Sequence, residues 1–295
     1  MKKHTSICLA LLMIFLCLPF SIAETLPQME KVTFPTGKTS PLPENPTKNY
    51  KANKDFFGED GLSYHDDSID IKLHKIRLHD TPIVVAFVQI ATAEQLKTEQ
   101  AKPFPSKTTV RMSEIAKRTN SILATNADWF TYHNDGIIYR NGKLLREKED
   151  LETDGLAIDI NGDFYIVRPM TMEEYSKIET PIQNSFSFGP ALVMNNEVLE
   201  IENRVVTYKQ RMAIGQIAPL SYVLVATDGP DQENSVGLSV PQLATLMHNL
   251  GAHTAYNLDG GQSTAMIMNN VKVNAHPKIM RAVGDIIYFT TAIAE

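Results

Sequence analysis

Ile69-Asp70-Ile71-Lys72-Leu73 alternates apolar and polar residues with a period of two, and Ile83-Val84-Val85-Ala86-Phe87-Val88-Gln89-Ile90 follows it as a nearly unbroken apolar run. The first pattern is that of a strand with one face in a core, and the second is that of a strand covered on both faces. Further along, Asn141-Gly142 and Asn161-Gly162 each sit between apolar segments, and Asn195-Asn196 and Asn269-Asn270 repeat the arrangement. Both residue types tolerate positive φ, so these dipeptides predict tight hairpins. Two helices are expected. One lies over Val110 to Arg118. The other is capped by Ser239, carries Pro241 in its first turn, presents Leu243, Leu246, Met247 and Leu250 as one stripe, and stops at Gly251. Many hairpins with few helices predict an α+β fold, a single domain of antiparallel or mixed β-sheet.

The N-terminus predicts export. Lys2 and Lys3 precede an apolar run from Ile7 to Leu18, and Ser21-Ile22-Ala23 supplies small residues for cleavage before Glu24. Residues 1–23 therefore read as a signal peptide, too short in its apolar part to serve as a stable membrane anchor. The destination is periplasmic or extracellular. Residues 24–65, with Pro27, Pro35, Pro41, Pro43 and Pro46 among polar groups, read as an extended or disordered lead-in, and residues 66–295 as the folded domain.

Both cysteines, Cys8 and Cys17, fall inside the predicted signal. The mature chain then has no thiol, which excludes disulfides, thiolate nucleophiles, zinc–cysteine centres and iron–sulfur clusters. A net charge of −6, more negative once Lys2 and Lys3 are removed, gives no basic stripe for phosphate backbones and argues against a nucleic-acid partner.

The chemistry concentrates in Asn257-Leu258-Asp259-Gly260-Gly261-Gln262-Ser263-Thr264. An aspartate at a strand end is followed by two glycines, which let backbone approach a ligand, and by two hydroxyls. A bare Asp-Gly-Gly is more often only a turn. Here, however, the segment resembles the signature of the phosphodiester glycosidase family. Other landmarks of that family stand in order: Asn126-Ala127-Asp128-Trp129-Phe130, Asn184 ahead of Gly189-Pro190, Arg211-Met212-Ala213-Ile214-Gly215, Thr227-Asp228-Gly229, Gly237-Leu238-Ser239 and Arg281-Ala282-Val283. The resemblance runs from about Ser121 to Thr291. Departures occur at Gln262 and at Ala127 or Asp128, where the family has glycine. Pro230 replaces an arginine, and Gln210-Arg211-Met212 replaces Pro-Arg-Thr.

The resemblance implies a hydrolase that cleaves the glycosidic bond of a sugar-1-phosphodiester in a cell-envelope polysaccharide or related glycan. Asp259 and Asp228 are the expected catalytic carboxylates, and Arg211 the expected clamp on the phosphate, since a guanidinium can bond two phosphate oxygens at once. Asn126, Asp128, Asn184, Asn257, Gly260, Gly261, Ser263, Thr264 and Arg281 are the expected substrate-binding residues. Phe130 reads as core, and Trp129 as either core or a platform for a pyranose ring. His133 lies within reach of the site but reads as a surface histidine in a polar loop, and His248 and His253 read as structural. No cofactor is required. A divalent cation held by Asp and Asn oxygens is compatible with the sequence, which assigns no metal ligands and no oligomeric state. Two other readings stay open: a glycan-binding or export-assisting protein without turnover, and a metal-dependent phosphoesterase.

Overall fold

The computed structural model describes residues 25–34, 48–201, 207–230 and 234–293, so the predicted signal peptide lies outside the described residues. In chain order the first strands are β1 (Ser63–Asp66), β2 (Ile69–Leu78), β3 (Thr81–Ile90), β4 (Leu96–Gln100) and, after helix α1 (Met112–Arg118), β5 (Leu123–Asn126). Next come β6 (Gly136–Arg140), β7 (Lys143–Lys148), β8 (Gly155–Asp159), β9 (Phe164–Val167), the short α2 (Met172–Tyr175), β10 (Ile182–Phe186), β11 (Ala191–Met194) and β12 (Glu197–Val198). The last are β13 (Met212–Ala218), β14 (Ser221–Thr227), α3 (Val240–Asn249), β15 (Thr254–Leu258), β16 (Met266–Met268), β17 (Val271–Lys272) and β18 (Asp285–Phe289).

Two antiparallel sheets dominate, one of eight strands in the order β1-β2-β3-β14-β13-β15-β11-β12 and one of five in the order β17-β16-β5-β18-β4. They pack face to face over a core that joins Ile71, Val84, Ile214 and Leu258 of the first sheet to Leu123, Met266, Ile287 and Phe289 of the second. Helix α3 covers the outer face of the large sheet, with Leu243 and Met247 against Val85 and Val223. Helix α1 covers the outer face of the small one, with Ile115 against Ile286. This layering explains the two opening patterns. β2 alternates between core and surface toward its N-terminal end. In β3, Val84, Ala86 and Val88 face the central core, while Ile83, Val85 and Phe87 face α3. The fold is α+β, built from antiparallel pairs.

The four Asn-containing turns all join neighbouring strands. Asn141-Gly142, Asn195-Asn196 and Asn269-Asn270 adopt positive φ at both positions, and Gly162 does so between β8 and β9. Ser239 caps α3 in a reciprocal capping box with Gln242. Residues 25–34 of the lead-in lie against the large sheet, whereas Asn49 bonds Lys97 and Tyr288 of the small one. Leu26 and Met29 pack beside α3, and the Gln89 side chain donates to the Glu30 carbonyl at 2.6 Å and accepts from the Val32 N–H at 3.2 Å. Among the described residues no helix is long and apolar enough to cross a membrane.

Candidate active site

Three adjacent strands of the large sheet end together. Met212 pairs with Leu258 on one side and Ala226 on the other, which brings Asp259, Gln210-Arg211 and Thr227-Asp228 out side by side. Backbone bonds tie them: Thr227 N–H donates to Arg211 O at 2.9 Å, and Gly261 N–H to Gln210 O at 3.0 Å. Strand β5 of the small sheet ends at the same point, where Asp259 N–H donates to Ala127 O at 3.1 Å. The Asn126 amide closes the turn from within. Its Nδ2 donates to Asp259 O at 2.7 Å, and its Oδ1 accepts from Ala265 N–H at 3.1 Å. Gly260 has to be glycine because a Cβ there would stand 2.7 Å from Gln210 O. Gly261 has φ +61° and nothing within 4 Å of where a side chain would begin, so the turn leaves open space above it.

The carboxylate of Asp259 is nearly buried, with 9% of its side chain exposed, and pairs with Arg281 Nη2 at 3.0 Å. The same guanidinium holds Ser263 Oγ, through Nε at 3.0 Å and Nη2 at 2.5 Å. Arg281 is itself 41% exposed, so it reaches from solvent to a buried acid. Its backbone N–H is fixed to Gln262 O at 3.0 Å, and its guanidinium carbon lies 5.4 Å from the centre of the half-exposed Tyr132 ring. Burial pushes the Asp259 carboxyl above the usual carboxylate range; Ser263 and Arg281 pull it back, and the negative charge of Asp128 pushes it further up.

Asp128 sits behind this pair and is almost wholly buried. Its Oδ1 accepts from Trp129 N–H at 2.8 Å, and its Oδ2 accepts from Ser187 N–H at 2.7 Å and Ser187 Oγ at 3.2 Å. Trp129 stacks on His133 at 3.8 Å between ring centroids and meets the edge of Phe188 at 4.9 Å. Phe130 is core, as expected of an aromatic at that position.

The other expected residues are engaged along the same rim or beside it. Asp228 is buried and accepts from His276 N–H at 2.8 Å; burial raises its proton affinity, while that N–H, the His276 side chain and Lys272 lower it. Arg211 donates through Nε to Leu238 O at 3.0 Å and through Nη2 to Thr207 O at 2.5 Å, and burial lowers its proton affinity. Asn257 donates to Gly189 O at 2.7 Å. Among the described residues its Oδ1 and the Thr264 hydroxyl are buried without hydrogen-bond partners. Asn184 turns away to brace the β6–β7 hairpin, its Oδ1 accepting from Thr98 Oγ1 at 2.7 Å and Asn141 N–H at 3.1 Å.

Sequence reasoning did not find Arg140, Ser187, Tyr132 or Asp285. Arg140 and Asp285 are both buried, and Asp285 Oδ2 takes Arg140 Nε at 3.0 Å and Nη2 at 2.6 Å. Their only trace in the sequence is a lone charge at the end of an apolar strand, after Ile137-Ile138-Tyr139 and before Ile286-Ile287. No group of three or more His, Cys, Asp or Glu side chains among the described residues is placed to hold a metal ion.

Comparison with known proteins identifies the family and the fold. Residues 119–290 match the family model described as phosphodiester glycosidase. The catalytic domain of zebrafish N-acetylglucosamine-1-phosphodiester alpha-N-acetylglucosaminidase, auto-inhibited by its pro-peptide, superposes with a TM-score of 0.60 at 16% identity, covering 83% of this chain and 87% of that one. A hypothetical protein from Synechocystis superposes with a TM-score of 0.61 at 15% identity, covering 75% and 62%. At these identities the likeness is one of fold. No curated protein sequence matches the chain.

Proposed function

The chain belongs to the phosphodiester glycosidase family, and from that premise we propose that it is an exported hydrolase cleaving the bond between an anomeric carbon and a phosphate oxygen in a sugar-1-phosphodiester of an envelope or extracellular glycan. The observation that carries this reading is the Asp259–Arg281–Ser263 cluster, a nearly buried carboxylate coupled to a partly exposed guanidinium at the end of β15. Breaking the C–O bond builds positive charge on the sugar ring and leaves negative charge on the phosphate. Asp259 answers the first, as nucleophile or as counter-charge, and Arg281 answers the second with paired N–H donors. A phosphate diester is already a weak base, so charge neutralisation matters more than a strong general acid. Water supplies the oxygen that ends on the anomeric carbon.

Arg211 and Asp228 complete the proposed machinery on neighbouring strands. Arg211 adds a positive charge beside the rim, with its Nε and Nη2 taken by the Leu238 and Thr207 carbonyls, so the phosphate falls first to Arg281. Asp228, its proton affinity raised by burial, suits proton transfer to or from the attacking water. The zebrafish enzyme's substrate class supports the sugar-1-phosphodiester assignment. Hydrolysis in ¹⁸O-labelled water tests the bond. The label should appear in the released sugar; its appearance in the phosphate would mean P–O cleavage and would favour a phosphoesterase.

Export rests on the leader-like residues 1–23. The mature protein recovered from the cell envelope or medium is expected to begin at Glu24. N-terminal sequencing that finds Met1 retained, or a lipid on Cys17, would remove this part of the proposal.

A further inference from the structure

Behind the proposed catalytic pair lies a second charged group with no access to solvent. Arg140, on β6, is enclosed between the rings of Phe130 and Phe186, its guanidinium carbon 5.1 and 4.7 Å from their centres. It bonds Asp285 on β18 through two N–H groups, stands 3.8 Å from Asp128 Oδ2, and donates to the Tyr139 and Ser185 carbonyls. Asp285 in turn accepts the Asp128 N–H at 3.1 Å through its other oxygen. Two carboxylates and one guanidinium thus form a closed unit, drawn from β6, β18 and the segment that leaves β5. A buried triad of this kind is expensive to desolvate and can often be replaced by apolar residues without loss of stability. Packing gives no reason for it.

Its position gives one. The segment carrying Asp128 runs directly beside Asp259, joined through Asp259 N–H to Ala127 O and through Asn126 Nδ2 to Asp259 O. Every polar partner of the Asp128 carboxylate is a donor: the Trp129 amide, the Ser187 amide and hydroxyl, and Arg140. That is the setting of an anion, and it leaves neither oxygen unengaged. We propose that Asp128 is a positioning residue which does not touch substrate but, anchored by Arg140 and Asp285, acts on Asp259 through space by its negative charge.

The proposal rests on Asp259 being the working carboxylate. The charged and titratable groups around Asp128 are Arg140 on β6, Arg146 on β7, Asp285 on β18, Asp259 after β15, and the phenols of Tyr175 and Tyr256. Its charge raises the proton affinity of Asp259, Asp285 and both phenols and supports the charge on Arg146. Of these only Asp259 sits at the Arg281 cluster, so that is where the charge bears on chemistry. A like charge held at fixed distance raises the proton affinity of a carboxylate, and in the buried setting of Asp259 the effect is only weakly screened by solvent.

Carbon-13 NMR of aspartate-labelled protein tests this without needing a substrate. In Asp128→Asn the midpoint of the Asp259 titration should fall, since a like charge has been removed. The limb of the kcat/KM profile that follows Asp259 should move by the same amount, whereas loss of a merely structural group would lower activity at every pH and leave the limb in place. An unchanged midpoint in folded Asp128→Asn overturns the proposal. Should that variant fail to fold, Ser187→Ala decides. Removing a donor from Asp128 leaves its charge less offset, and the Asp259 midpoint should rise; no rise overturns the proposal. If the NMR midpoint moves and the rate profile does not, the coupling stands and the catalytic role given to Asp259 is what fails.

Discussion

Asp259→Asn should lower turnover on a sugar-1-phosphodiester by two or more orders of magnitude, roughly 3 kcal/mol or above in transition-state stabilisation. The replacement keeps the shape of the side chain and can still accept from Arg281 through its amide oxygen. It removes the charge that would meet the developing cation on the sugar, or the nucleophile that would bond to it. Folding should change little, because the backbone bonds of residue 259 to Ala127 and Asn126 are untouched. His253→Ala is the contrasting control. That imidazole precedes β15, at the opposite end of the strand from Asp259, and bonds Thr254 Oγ1. Steady-state kinetics and thermal melts on both variants separate the outcomes. Near wild-type turnover in Asp259→Asn, with a histidine variant inactive, would remove the carboxylate-centred mechanism.

Much of the scaffold beneath that site is legible in the sequence, because short-range physics sets it. The Asn-containing turns fix four hairpins through the same tolerance of positive φ, and Asn195-Asn196 and Asn269-Asn270 adopt it as fully as Asn141-Gly142. The Ser239 cap, Pro241 and Gly251 bracket α3 within the helix they predict. The turn at His79-Asp80 was not legible. Both residues take positive φ without glycine or asparagine, and the long β2–β3 pairing imposes that conformation on them. The site divides along the same line. Asp259, Gly260, Gly261 and Ser263 share one turn, so their grouping is read directly. Arg281 and the segment from Asn126 to Asp128 belong to separate motifs, and their contact with that turn, through Asn126 and Ala127 on one side, depends on two sheets meeting. Arg140 and Asp285 lie 145 residues apart and carry no motif. Their pairing follows only from β6 and β18 converging on the segment after β5, which no local pattern encodes.

That convergence makes Arg140 a residue whose loss should cost the fold heavily. Arg140→Met keeps an apolar stem between Phe130 and Phe186 and removes the guanidinium, leaving Asp285 and Asp128 buried without their shared counter-charge. Breaking one side of a buried ion pair costs about 3–5 kcal/mol. For a domain of this size that lowers Tm by roughly 6–20 °C. The penalty should depend on pH in a definite direction. Burial raises the Asp285 carboxyl to about 6 even with Arg140 present, the guanidinium opposing the rise, so in the variant it moves higher still. Well below the ordinary carboxylate range both the folded and the unfolded chain carry the proton, and burying Asp285 then involves no charge. As pH rises through the unfolded value toward the folded one, the unfolded chain ionises first and stability falls. Arg140→Met should therefore be most destabilised at pH 7 and above, and recover part of the loss toward pH 5. Adding Asp285→Leu should return much of the stability at neutral pH, since an apolar pair replaces an unmatched charge. Denaturant melts of the single and double variants at both pH values read this directly. A single variant as stable as wild type at neutral pH would mean that Asp285 is held without its arginine, and the triad would lose its part in anchoring Asp128.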